Sequence, residues 1–143
     1  LNVLLTDRGE DWAEQLPRLL EPQGVTAVRA DTVDRALDAL NRQPIHIAVV
    51  ELDLPADDRA AAATHERIGG LKLLRVINSL EHRPPSLVVR GRRFSGREDD
   101  RVLEEALKLN VFSVLDQPIA LERMLQTLQR MMHRYYGDRW PEA

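Results

Sequence analysis

Apolar residues fall along the chain in two alternating rhythms. Short runs rich in leucine and β-branched residues occupy Asn2–Thr6, Val25–Arg29, Ile45–Val50, Leu87–Arg90 and Val111–Leu115. Each is too short for a helix and is bounded by glycine, proline or charge, which predicts five strands. The stretches between them show helical spacing instead. In Thr32–Asn41, Val33, Ala36, Leu37 and Leu40 stand at i, i+3, i+4 and i+7, with Thr32 placed to cap the helix. Leu71–Leu80, Arg101–Leu109 and Leu121–Met132 repeat the pattern. Glu10–Leu20 keeps Trp12, Leu16, Leu19 and Leu20 on one face despite Pro17, a residue that costs about 3 kcal/mol inside a helix.

Five strands alternating with five helices imply an α/β chain with a doubly wound parallel sheet and right-handed crossovers. In such sheets ligands bind beyond the carboxyl ends of the strands, where the strand order reverses. For the order 2-1-3-4-5 that place lies between strands 1 and 3. The rim is then Asp7 and Arg8, Glu51 to Pro55, Arg90 and Gly91, and Asp116 to Pro118.

Composition narrows the chemistry. With 143 residues, 43% hydrophobic, the chain fits one core of ordinary size. It has no cysteine, which excludes a disulfide framework, a thiolate metal site and a cysteine nucleophile. The net charge of −3 argues against nucleic-acid binding through this domain. No apolar run approaches the ~20 residues that span a membrane, and the acidic first segment does not read as a signal peptide. A cytoplasmic location without membrane contact is expected. Of the 20 basic residues only Lys72 and Lys108 are lysines, so a mechanism needing a lysine elsewhere is excluded.

The rim residues carry a resemblance. Val3-Leu4-Leu5-Thr6-Asp7, Leu19-Leu20-Glu21-Pro22-Gln23-Gly24, Ala48 through Pro55, Gly69 through Leu74 and Val114-Leu115-Asp116-Gln117-Pro118-Ile119 follow one another in order. The chain resembles the receiver domain of bacterial two-component response regulators, a flavodoxin-like (βα)5 fold, from Asn2 to about Met132. The resemblance implies two acidic residues after strand 1, an aspartate phosphoacceptor at the end of strand 3, a hydroxyl residue after strand 4, and a lysine before a proline after strand 5. It implies Mg²⁺ held by the carboxylates, with metal and lysine neutralising an incoming phosphoryl group.

Position by position, Asp7 takes the first acidic place, but Arg8 stands at the second. Glu51 occupies the phosphoacceptor position, Arg90 the hydroxyl position, Gln117 the lysine position before Pro118, and Val114 the place of the aromatic that moves on activation. The substitutions point to a degenerate pseudo-receiver with weak or absent Mg²⁺ binding, no cofactor and no enzymatic activity. Its expected role is a phosphorylation-independent protein–protein interaction or dimerisation module in signal transduction. The partner would be another protein, an output domain or a second copy. The alternative is a phosphorelay receiver phosphorylated unconventionally at Asp53, two residues past the acceptor position. Hydrolysis by Asp7, Glu51 and Asp53 lacks a nucleophile–histidine pair and a glycine-rich phosphate cradle.

Two readings of Arg8 and Arg90 stand side by side. They either pair with Asp7, Glu51 or Asp53 in a static ion-pair cluster, or they point to solvent. The loop Arg90–Arg97 has a basic character balanced by Glu98-Asp99-Asp100. Pro55 and Leu71 enclose 15 residues, longer than the resemblance implies, so 56–70 reads as an inserted loop. Residues 133–143 form an extension holding Tyr135, Tyr136 and Trp140. With Met131 and Val114 these are the candidate interface residues.

Overall fold

The computed structural model describes residues 1–59, 69–91 and 96–137. Five strands, β1 (Asn2–Thr6), β2 (Thr26–Ala30), β3 (Ile47–Glu51), β4 (Ser86–Arg90) and β5 (Val111–Asp116), form one parallel sheet in the order β2-β1-β3-β4-β5. The helices are α1 (Asp11–Leu20), α2 (Val33–Arg42), α3 (Gly69–Ser79), α4 (Arg97–Leu107) and α5 (Leu121–Tyr136). Side chains alternate across the sheet as strand geometry requires. Val3, Leu5, Ile47, Val49, Leu87 and Val89 join α1 and α5 in one core layer. Leu4, Ala48, Val50 and Val88 join α2, α3 and α4 in the other. Covering on both faces explains why the central strands read as unbroken apolar runs.

Boundaries moved where side-chain chemistry, not periodicity, sets them. Thr32 caps α2 as expected, its hydroxyl accepting from the Arg35 backbone N–H at 3.2 Å. Pro17 stands inside α1, half-buried at the flank of the stripe formed by Trp12, Ala13, Leu16 and Leu20. Leu19, expected on the buried face, is 43% exposed. The helix closes through a 3-10 turn, Glu21–Gln23, onto Gly24 at φ +77°, a conformation that suits glycine. α4 starts at Arg97, a turn earlier than Arg101, because charge rather than apolar spacing fills its first turn.

α3 begins at Gly69, so the two glycines closing the extra segment are helical. They let the helix start touch the end of β3: a Cβ at Gly70 would lie 2.2 Å from the Glu51 carbonyl oxygen. Residues 60–68 and 92–95, within the inserted and basic loops, lie outside the described residues. α5 passes its expected end at Met132 and runs to Tyr136, so His133–Tyr136 form its last turn rather than an extension. Gly70→Ala is expected to lower stability by about 2–3 kcal/mol in urea unfolding, because backbone, not a flexible side chain, must move. Unchanged stability would mean the α3 start is not held against β3.

Candidate functional site

The carboxyl ends of β1, β3, β4 and β5 meet in the expected crevice, and β2 contributes as well. Asp7 follows β1 and is 2% exposed. Its Oδ2 accepts from Arg29 Nη2 at 2.7 Å and from the Gly9 backbone N–H at 3.0 Å, and its Oδ1 from Arg29 Nε at 3.3 Å. This is a fork-to-fork arrangement, the strongest form of the pair. The Asp7 hydrogen bond raises the Arg29 pKa above its ordinary value, against the opposing effect of burial. Arg29 pairs in register with Leu5, which carries its guanidinium to the mouth of β1. Thr6 fastens β1 to β3: its hydroxyl donates to the Val49 carbonyl and accepts from the Glu51 N–H, both at 2.8 Å.

Glu51 is buried at 2% exposure. Burial, then a hydrogen bond with Asp53 and the negative charges of Asp53 and Glu10, push its pKa up to about 10. Glu51 Oε2 and Asp53 Oδ1 are buried without an N–H or hydroxyl donor. A proton retained on Glu51 and donated to Asp53 accounts for both observations. Gln117 supplies the remaining donor, giving its Nε2–H to Glu10 Oε1 at 2.7 Å and more weakly to Glu51 Oε1 at 3.5 Å. It is followed by Pro118 through a cis peptide bond. Asp53 lies against Gly91, where an added Cβ would come within 2.9 Å of its Oδ2.

Of the two readings open for Arg8 and Arg90, the static cluster does not form: neither side chain pairs with Asp7, Glu51 or Asp53. Arg90 forms a two-pronged pair with Asp116, its register partner on β5, with Nη2 to Oδ2 at 2.9 Å. Arg8 is exposed, and its backbone N–H, not its side chain, meets Glu10 at 2.7 Å. It lines a pocket of about 630 Å³ with Asp7, Arg29, Asp31, Arg35 and Pro55. The crevice cation is therefore Arg29, a residue the sequence reading missed. The signal was available: strand order sets the end of β2 beside Asp7, and an arginine one residue before that end has to lie near the rim.

The interface candidates divide similarly. Met131 is fully buried in the α1/α5 core, with Met124 and Met132, so it offers nothing to a partner. Val114 is half-buried against the α2/α3/α4 layer. Tyr136 donates its hydroxyl to the His46 carbonyl at 2.6 Å and meets the His46 ring edge-on. Tyr135 is 40% exposed. Trp140 lies outside the described residues.

Comparison with solved structures decides the architecture. The chain matches the NtrX chain of Brucella abortus at TM-score 0.69 and 18% identity, covering 93% of this chain and 27% of that one. It matches the signal receiver domain of a putative LuxO repressor protein from Vibrio parahaemolyticus at TM-score 0.70 and 16% identity, covering 93% and 90%. A CheY-like receiver domain protein from Methanospirillum hungatei matches at TM-score 0.69 and 18% identity, covering 93% and 94%. The chain has the receiver fold. It spans about a quarter of the NtrX chains it matches. No protein-family model matches the chain, and no curated protein does.

The receiver fold implies a divalent cation in this crevice, and the residues present do not fit one. The Asp7 oxygens both face the Arg29 guanidinium, and exposed Arg8 adds a further positive charge beside Asp7 at the same rim. Among the described residues, no group of three histidine, aspartate or glutamate side chains is placed to hold a metal.

Two outcomes follow from these contacts. Glu51 is neutral in the folded chain up to about pH 10 and ionised in the unfolded chain above about 4.5. The unfolded state then binds fewer protons across that window, so this site's contribution is full below pH 4.5 and declines toward pH 10. Glu51→Gln, which keeps the shape and removes the titration, is expected to stabilise the chain at pH 8 by about 1–3 kcal/mol, with little effect at pH 4. Denaturant curves at the two pH values check it, and equal shifts at both would refute the protonated Glu51. Arg90→Ala removes a solvent-facing pair and is expected to cost at most about 1 kcal/mol; a larger loss would return Arg90 to the crevice.

Proposed function

We propose that this chain is a receiver-fold interaction module of signal transduction that works without aspartyl phosphorylation. The observation that carries the reading is the fork pair between Asp7 and Arg29, which engages both Asp7 oxygens with a guanidinium and leaves neither open to a divalent cation. Three further features support it. Burial and the neighbouring carboxylates favour the neutral form of Glu51, which is a poor nucleophile. Gln117 has no charge to offer a phosphate. Arg90 is engaged by Asp116 and cannot report on the crevice. Such a module acts through partners, in the cytoplasm and within two-component signalling, and it performs no catalysis of its own. The length of the NtrX chains beyond the matched part supports an attached output domain as one such partner.

The experiment is exposure of the chain to acetyl phosphate and Mg²⁺, read by intact-mass spectrometry. No increment of one phosphoryl group is expected. A stoichiometric increment mapped to Asp53 would replace the reading with an unconventional phosphorelay receiver, and one mapped to Glu51 would overturn the inert crevice.

A further inference from the structure

A second concavity lies at the opposite end of the sheet from the crevice, among the residues that lead into β3 and β4 and the carboxyl ends of α2, α3 and α5. Its volume is about 650 Å³, within the ~300–1,000 Å³ common for small-molecule sites. Leu40, Ile45 and Leu80 supply an apolar lining. His46 supplies a donor of fixed identity. Its Nδ1 accepts the Asn2 backbone N–H at 2.8 Å, so the neutral ring carries its proton on Nε2. Burial favours that neutral form and holds the His46 pKa below its ordinary value. Tyr136 meets the ring edge-on at 6.1 Å and donates its hydroxyl to the His46 carbonyl at 2.6 Å. The ring is thus held from two sides, and no described residue accepts from its Nε2–H. Glu81 and Arg83 are the one carboxylate and the one guanidinium among the described residues that line the pocket, and neither is ion-paired with a described residue. Arg83 is positioned all the same: its Nη1 donates to the Asn78 carbonyl and to Asn78 Oδ1, both at 3.1 Å.

We propose that this pocket binds a free amino acid with an apolar side chain, its carboxylate taken by Arg83 and the His46 Nε2–H, its ammonium by Glu81, and its side chain laid against Leu40, Ile45 and Leu80. The two formal charges in the lining cancel, so a purely anionic or purely cationic ligand meets one favourable and one unfavourable group. A zwitterion uses both. The carboxyl ends of α2, α3 and α5 add partial negative charge, which favours an ammonium group and opposes a phosphorylated ligand. The imidazole N–H adds a directed donor for the carboxylate without adding charge. The site goes beyond the interaction module proposed above by giving it a small-molecule ligand, and a ligand that favours one arrangement of a protein shifts its population. It shares no residue with the crevice, so it stands whether or not the crevice takes a phosphoryl group.

The test is titration of the isotope-labelled full chain with L-phenylalanine and with L-leucine, followed through its backbone amide resonances. Saturable shifts are expected at Ile45, His46, Leu80 and Arg83, with none at Asp7 or Glu51. Hydrocinnamate, which lacks the ammonium, and phenethylamine, which lacks the carboxylate, are each expected to bind about tenfold or more weakly than phenylalanine. Arg83→Ala and Glu81→Ala are each expected to weaken phenylalanine about tenfold as well. Both residues are exposed, so an unchanged thermal transition separates lost binding from lost fold. If either variant unfolds, the two monofunctional compounds decide alone. Absence of a saturable shift into the tens of millimolar, shifts centred elsewhere, equal binding of either monofunctional compound, or unchanged affinity in a folded Arg83→Ala chain each overturns the proposal. The phosphoryl test reads Asp53 and Glu51 at the other end of the strands, so the failure of one reading is distinguishable from the failure of the other.

Discussion

Asp7 is an almost fully buried carboxylate, and a buried charge needs a partner of opposite sign. Arg29 provides that partner with two hydrogen bonds from one planar group. The same constraint governs the rest of the crevice, where Glu10, Glu51 and Asp53 gather and none of the three is ion-paired with a cation among the described residues. Burial first, and then the like charges of Asp53 and Glu10, raise the free energy of ionising Glu51 and so favour its neutral form. The Arg29 guanidinium thus neutralises Asp7, and burial with the neighbouring carboxylates favours the neutral form of Glu51. Neither depends on a ligand, so the charge balance is built into the chain.

The consequence is a crevice with one resting arrangement. Thr6 ties β1 to β3, Gly70 seats α3 on the end of β3, and Gln117 joins the β5–α5 loop to Glu10. At the other edge, Arg90 and Asp116 join β4 to β5 instead of leaving a side chain free to turn inward. A conformational switch needs a ligand with different affinity for two states. On the function proposed above, in which the crevice takes no phosphoryl group, that role falls to macromolecular contacts.

The strands were legible in the sequence because burial on both faces makes them continuous apolar runs, and the helices because their apolar residues keep one stripe. The positions of Asp7, Glu51 and Gln117 followed from strand order alone. Arg29 did not, because a rim drawn from strands 1, 3, 4 and 5 omits the end of β2. The partner of Arg90 stayed open because its acid, Asp116, is its cross-strand register partner, and pairing register is not visible in one strand's sequence. Met131 was assigned outward although it falls three residues after Leu128 on the stripe that also holds Met124. The end of α5 was hidden by the polar pair His133-Arg134, which interrupts the apolar pattern while Tyr136 reaches back to His46.

The most direct measurement is a Mg²⁺ titration of the wild-type chain followed through the backbone amide resonances of Asp7 and Glu51 and the side-chain Nε–H of Arg29. The account expects no saturable shift at any of the three into the millimolar range, with the Arg29 signal remaining that of a hydrogen-bonded guanidinium. Saturable shifts at Asp7 and Glu51, accompanied by release of Arg29, would show that the guanidinium yields to the metal and would contradict the account.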